Sequence, residues 1–430
     1  MKVYERIYEY YVNQITSNSL KPGDKMPSLR ETERTLNVSR TSVETAFLQL
    51  AADGYIYSIE KVGYFVSETA DLFIKENKSE EAQSKEKAHK TFKYDLETIG
   101  EDKEVSCLQL WRRYMKSALR QEDRLLSYGI NQGEEDLRTE IAAHVRKTRN
   151  IICSPDDVVI GAGFQNLLRI LIPLIPGEKT ISFPTRDFSD GAFTFENAGF
   201  KVNYRDKESH VIYVAPSYMT KWGEVMTMKR RREIINHAIN NNHLLIEDDY
   251  QNDFVYSSKP TPSLYAMTGG ENIAFLGSFS RVLLPSVRIS YLILPKEARE
   301  SYKAIKNLYN QTASKAEQIA LAQFIRDGHL NRHIKKIHRH YGEKRQIMLD
   351  SLYKHFKKDS ILKGDSGMEI GLKLNIKDAK RIFAENDIAV NAIDEAEGAT
   401  TLLLSCGRIE ISKIEEAIKK LNLVYKNNLV

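Results

Sequence analysis

The sequence predicts two units of different fold class: an amino-terminal helical module closed by a β-hairpin, and a larger α/β unit that ends in a smaller α+β part. Three observations carry this. At 430 residues the chain is too long for one core, since domains usually hold about 100–200 residues. Its first stretch shows apolar residues at helical spacing and then switches to strand-like alternation. From about residue 105 onward, short apolar runs alternate with amphipathic segments, the pattern of a largely parallel sheet covered on both faces.

Composition narrows the class further. Hydrophobic residues make up 42% and charged residues 28%, close to the globular average, which excludes a largely disordered or fibrous chain. The longest apolar run, Leu167 to Ile175, is interrupted by Arg169 and Pro173 and falls short of the roughly 18 residues that a membrane span needs. The amino-terminal MKVYERIYEYYV mixes charge into its apolar positions and lacks the core of a secretory signal, so a cytoplasmic protein without membrane attachment is expected. Cys107, Cys153 and Cys406 lie far apart with no CxxC pair or His/Cys cluster, so neither a disulfide nor a metal site is expected. Lys and Arg total 63 against 58 for Asp and Glu, and the net charge of +5 is compatible with nucleic acid without demonstrating it.

Residues 1–69 read as helix, helix, helix and hairpin. Val3, Ile7, Tyr11 and Ile15 fall four apart on one face of a helix that stops before Lys21-Pro22-Gly23. Pro27 and Ser28 open a second helix, with Leu29 and Leu36 as candidate core positions and Asn37 at the turn. Ser39 caps a third, in which Val43, Ala46, Phe47 and Leu50 share a face and Gly54 is the stop. Tyr55 to Ser67 alternates around Glu60 to Gly63, as two short strands joined by a turn do.

Two helices joined by a short turn and followed by a hairpin form a winged helix-turn-helix, whose third helix enters the major groove while the wing touches the flanking backbone. The motifs Gly23-Asp24, Pro27-Ser28, Arg30, Val38-Ser39-Arg40, Ala46, Leu50, Asp53-Gly54-Tyr55 and Gly63-Tyr64-Phe65-Val66 resemble the GntR superfamily at fixed spacing. That resemblance implies double-stranded operator DNA as the partner, with Ser28, Arg30, Arg40, Thr41, Ser42, Lys61 and Gly63 facing it. Arginine forks onto guanine or phosphate, while hydroxyls and a glycine amide reach phosphate oxygens. Residues 1–68 hold eight Lys or Arg against nine Asp or Glu, so affinity has to come from a few focused cations and from two copies of the module.

Residues 70–93 are rich in Lys, Glu and Ser and read as a charged linker; a solvated helix, which Glu and Lys also favour, is the alternative. The remainder, 94–430, divides into a large part at about 105–296 and a small part at about 297–430. In the large part VVIGAG, KTISFP, HVIYVAP, HLLIEDDY, NIAFLGSFS and YLILP are the strand-like runs. In the small part a long helix at about 301–356 precedes strands at GLKLNI and TTLLLSC and helices at 377–386 and 411–421.

Chemistry concentrates in two stretches of the large part. Leu244 to Ile246 form a strand that runs into acids, setting Asp248 and Tyr250 at its carboxyl end, where open α/β sheets bind ligands. Ser278, Ser280, Arg281 and Arg288 lie between the next two strands. With Tyr128-Gly129, Gly133 ahead of Leu137-Arg138, Gly163-Phe164-Gln165 and Gly223 to Arg232, these stretches resemble fold-type-I aminotransferases, in particular the effector domain of the MocR-type subfamily of GntR regulators. The resemblance covers nearly the whole chain and implies a homodimer and pyridoxal 5'-phosphate as the family cofactor. It implies that Asp248 pairs with the ring nitrogen, that Tyr250 bonds the phenolic oxygen, and that Ser278, Ser280, Arg288 and the helix start at Gly163 and Phe164 hold the phosphate.

Where the family supplies its covalent lysine stands Arg281, whose guanidinium keeps its proton and cannot form the imine. Ala215 to Gly223 lacks the family's His, Gln and Pro, Pro184 to Phe188 departs from the turn that offers a stacking aromatic, and Thr400 to Ser405 lacks the carboxylate-binding arginine, with Arg408 past that spot. The expected protein is a transcriptional regulator, not an enzyme and without catalytic residues, whose aminotransferase-like domain dimerises and senses a small anionic ligand at Ser278, Ser280, Arg281 and Arg288. Two alternatives stay open: reversible pyridoxal phosphate binding, and a scaffold that holds no ligand. A working aminotransferase is disfavoured, because without the lysine it loses both its covalent attachment and its general base. The basic runs Lys229 to Arg232 and Arg332 to His340 read as solvated helix faces.

Overall fold

A computed structural model describes residues 3–17, 19–59, 62–67, 92–98, 102–186, 188–256, 261–394 and 399–428. The chain divides into two compact units, Met1–Thr91 and Phe92–Val430. Most of the segment expected as a linker therefore lies outside the described residues.

The first unit contains α1 (Val3–Thr16), α2 (Leu29–Leu36), α3 (Arg40–Ala52) and an antiparallel hairpin of β1 (Ile56–Ile59) and β2 (Gly63–Val66). Ile7, Tyr11 and Ile15 of α1 meet Val43, Ala46, Phe47 and Leu50 of α3, with Ile56 and Val66 closing the core. Each buried Val, Leu, Ile or Phe among them contributes about 1.5–3 kcal/mol. Val3, the first residue of the expected stripe, is 48% exposed in the opening turn of α1. In α2 the buried position is Thr32, while Leu29 and Leu36 are half-buried beside the core. The Tyr11 and Thr32 hydroxyls lie 2.8 Å apart, so a satisfied polar pair occupies the place expected for a leucine. Both recognition-motif helices are capped: Ser28 and Glu31 form a reciprocal capping box on α2, and Ser39 caps α3.

In the second unit the elements run β3 (Tyr94–Asp95), α4 (Leu108–Leu119), α5 (Glu135–Arg149), β4 (Val158–Ala162), α6 (Phe164–Leu171), β5 (Thr180–Phe183), α7 (Ser189–Asn197) and β6 (Lys201–Tyr204). They continue with β7 (Val211–Val214), α8 (Met228–Asn240), β8 (Leu244–Asp248), β9 (Ile273–Ser278) and β10 (Ile289–Ile293). The seven-stranded sheet has the order β4-β10-β9-β8-β7-β5-β6, parallel except at β10, which runs antiparallel to both of its neighbours. Successive strand residues feed opposite layers, as the pleat requires. Ile160, Ile212, Leu245 and Phe275 enter one core, whereas Val159, Val211, Ile246 and Leu276 enter the other.

The carboxyl-terminal part holds α9 (Lys315–Arg326), α10 (His329–His355), β11 (Ile361–Leu362), β12 (Glu369–Leu374), β13 (Ile388–Ala389), β14 (Asn391–Asp394), β15 (Thr400–Ser405) and α11 (Ile411–Asn427). The antiparallel sheet β11-β12-β15-β14 is tied to the start of the unit, because β13 pairs with β3. One long helix at 301–356 is not what forms. Helices at Arg299–Ile305, α9 and α10 are separate, and Gly328 sits in a left-handed conformation at the second break. At the first break Gln311 Nε2 donates to the carbonyls of Asn131 and Ile160 at 3.2 and 3.1 Å, and the Thr312 hydroxyl accepts the Ala162 amide at 2.9 Å. At this break the side chains of Gln311 and Thr312 bind the end of β4.

In the basic run on α10, Arg332, Lys335, Lys336 and Arg339 are exposed as expected, while His333 is buried and the helix carries its internal cation further on. Lys344 is fully buried and bonds Asp102 Oδ2 at 2.9 Å and the Gly407 carbonyl at 3.1 Å, and His340 reaches the same carboxylate at 3.0 Å. Burial opposes ionisation of Asp102, but the bonds from Lys344 and His340 hold it below the usual carboxylate range. Among the described residues, no helix is long and apolar enough to cross a membrane.

Candidate functional site

In the first unit the expected DNA-facing residues fall on the openings of two helices and on the hairpin. Arg30 is exposed in the first turn of α2, and Arg40 and Thr41 are exposed in the first turn of α3. Ser28 Oγ accepts the Glu31 amide at 3.2 Å, and Ser39 Oγ accepts the Ser42 amide at 3.4 Å and lies 2.9 Å from the Ser42 hydroxyl. Capping uses the lone pairs of Ser28 and leaves its proton to donate. Arg40 Nε pairs with Glu44 Oε1 at 2.9 Å, an exposed i,i+4 pair worth a few tenths of a kcal/mol. Gly63 adopts φ +127°, a left-handed-side conformation that a side chain would resist, and it keeps the wing's turn open to close approach. Lys61 lies outside the described residues. Sequence reasoning missed Lys25, which bridges to Phe65 of the wing and whose Cε lies 3.4 Å from where a Cβ on Gly63 would stand. Its place two residues after Gly23 was the available signal.

In the second unit a cavity of about 510 Å³ gathers Phe164, Asp248, Tyr250, Ser278, Ser280, Arg281 and Arg288. Parallel β8 and β9 end side by side, which sets Asp248 and Ser278 at neighbouring carboxyl ends. Gly163 precedes α6 with φ +85°, and a Cβ there would stand 3.0 Å from Arg288 Nη2, so glycine lets that guanidinium lie against the helix start. The Ser278 hydroxyl accepts from the Ser280 amide at 3.3 Å and from the Ser290 hydroxyl at 3.0 Å, which leaves its own proton to donate. The Ser280 hydroxyl donates to the Val287 carbonyl at 2.9 Å. Its proton is therefore used to fold the loop.

The other end of the cavity is built around a buried acid. Burial pushes Asp248 up to about 7, nearby Asp249 adds to the shift, and a hydrogen bond from the Tyr213 hydroxyl opposes it. Burial likewise raises Tyr250, whose ring lies 6.0 Å from the Arg281 guanidinium. Neither Arg281 nor Arg288 forms an ion pair among the described residues. The carboxyl of Glu369 is raised by burial, while a bond from the Tyr218 hydroxyl and the charge of Arg281 act to lower it. Sequence reasoning missed Tyr213, Tyr218 and Glu369, because each meets its partner only across the fold. The arrangement offers two guanidinium groups, one donating hydroxyl and a helix amino terminus to an anion, with a protonatable carboxyl in the same cavity.

Comparison with known proteins places both units. The family of bacterial regulatory proteins of the gntR type matches residues 3–66, and the aminotransferase class I and II family matches residues 204–420, just over half of the chain. The chain is similar to the HTH-type transcriptional regulator YdeL of Bacillus subtilis, at 29% identity over 99% of this chain and 97% of the relative. It is 28% identical to the HTH-type pyridoxine biosynthesis transcriptional regulator PdxR of Corynebacterium glutamicum, over 77% and 75% of the two chains. The probable rhizopine catabolism regulatory protein MocR of Rhizobium meliloti is 23% identical over 86% and 81%. Among solved structures, an archaeal alanine:glyoxylate aminotransferase superposes with a TM-score of 0.70 at 22% identity, over 84% of this chain and 95% of that one. The long relatives are thus HTH-type regulators of the MocR and PdxR type, and the second unit has the fold-type-I aminotransferase fold. The chain belongs to the aminotransferase class I and II family, and it carries the helix-turn-helix of the gntR family of bacterial regulatory proteins at its amino end.

Proposed function

We propose that this protein is a cytoplasmic, homodimeric transcriptional regulator that binds operator DNA through residues 1–69 and senses a small anion in the cavity of its second unit. The observation that carries the reading is that Arg281, Arg288 and Ser278 line one cavity, with no lysine among the described residues that line it. In this reading Arg281 stands at the family's lysine position. It retains a positive charge there, and it removes the amine that covalent chemistry requires.

Pyridoxal phosphate remains a fitting occupant in part. Asp248 and Tyr250 match its ring end, and Ser278, Arg288 and the α6 start at Gly163 match its phosphate end. When bound, such a group supplies an electron sink for amine chemistry. The chain's residues would then hold it reversibly, through charge and hydrogen bonds alone. Arg281 contributes charge and no proton-accepting nitrogen, which argues against transamination.

Gel-shift titration of the full-length protein against fragments of its own genome tests the function. Saturable, sequence-selective retention by two copies of the chain is expected, weakened as salt rises. Retention that ignores sequence, or none, would contradict a regulatory role.

A further inference from the structure

Beside the anion cavity lies a second and larger one of about 770 Å³, within the range of small-molecule pockets. Phe188, Ile212, Val214, Met226 and Ile234 give it mainly apolar walls, and Trp222 also lines it. Its charged lining is unequal. Arg205, Lys207, Lys221 and Arg230 face two carboxylates, Asp206 and Glu233. Both acids are already engaged: Asp206 accepts the Ser209 hydroxyl at 2.7 Å and the Asn203 amide at 3.0 Å, and Glu233 pairs with Arg230 at 3.3 Å. Arg205 makes no ion pair among the described residues; its Nε donates to the Pro184 carbonyl at 3.2 Å. Its backbone is held at φ +54°, a strained setting for a non-glycine residue of the kind that clusters at binding sites.

We propose that this second cavity binds an apolar monocarboxylate, with its hydrocarbon or aromatic body on the Phe188, Met226 and Ile234 walls and its carboxylate on Arg205. A mostly apolar lining with a small cationic surplus suits one negative charge on an apolar body; it suits neither an uncharged lipid nor a polyanion. The site goes beyond the anion cavity but adjoins it, since Phe188, Tyr213 and Tyr250 line both. An occupant of one packs against a wall of the other.

Calorimetry on the full-length protein tests this with octanoate as probe and octanol as its uncharged counterpart. Octanoate should bind saturably and at least about tenfold more tightly than octanol. Its binding should fall about tenfold in Arg205→Gln, which leaves octanol unaffected, and in Ile234→Phe, which fills the wall. Trp222 is one of two tryptophans in the chain, so octanoate should also shift the emission, and Trp222→Phe should abolish that shift. Arg281→Gln should leave octanoate binding intact. Loss in Arg281→Gln with none in Arg205→Gln or Ile234→Phe would move the ligand to the first cavity and overturn the proposal. Equal binding of octanol, or no saturation by octanoate, would overturn it as well. These outcomes do not depend on whether the first cavity senses anions.

Discussion

Asp248 holds its proton far above the range of a solvated aspartate, because burial raises it to about 7 against the pull of the Tyr213 hydroxyl. The folded chain therefore keeps a proton that the unfolded chain releases near pH 4, so the stability that this carboxyl contributes is present at low pH and lost as pH rises through about 7. Asp248→Asn does not titrate. Denaturant unfolding should show the variant gaining on the wild type by on the order of 1–3 kcal/mol between about pH 5 and about pH 8. Glu247, also raised to about 7 by burial, titrates in both proteins and cancels in the difference. A pH-independent difference would mean that Asp248 ionises as it does in water. At the DNA-facing end, Arg40→Ala should weaken operator binding by about 1–3 kcal/mol, the worth of a base contact. The exposed pair with Glu44 is too weak to mask that loss, and unchanged gel-shift affinity would remove Arg40 from the interface.

The start of α6 is the element on which the anion cavity depends. Gly163→Ala would force a side chain into a left-handed conformation and against Arg288 Nη2, 3.0 Å away. The expected cost is about 1–3 kcal/mol in thermal unfolding, together with weaker phosphate binding by calorimetry. A variant as stable as the wild type would show that the α6 start is free to rearrange. Elements were legible in the sequence where their cause is local. Ser28 and Ser39 announce two caps, the apolar runs announce β4, β5, β7, β8, β9 and β10 but not the short polar β6, and the acids after Ile246 announce the carboxyl end of β8. What escaped has distant causes. The helix break at Gln311 depends on carbonyls at Asn131 and Ile160, and the Thr32 position depends on Tyr11. Likewise the Tyr213 bond to Asp248 and the burial of Lys344 against Asp102 join residues that no local periodicity links.

For the whole molecule, dimerisation would compensate for a DNA-facing unit with little net charge, by doubling its phosphate contacts. In the proposed dimer the second unit would make that association; Leu126 is 88% exposed, Leu308 81% and Tyr128 fully exposed, and a partner surface would cover side chains of this kind. Sedimentation equilibrium of the full-length protein should report two copies at micromolar concentration, and a monomer there would remove the basis for two half-sites. The most direct test concerns Arg281. Pyridoxal phosphate is added in excess, the mixture is reduced with borohydride, and the peptide containing residue 281 is weighed. The expected result is no added mass in the wild type, with any cofactor washed out by salt, and a reduced adduct in Arg281→Lys. A borohydride-stable adduct lining the wild-type cavity would contradict the loss of covalent chemistry and return the second unit to the enzymes.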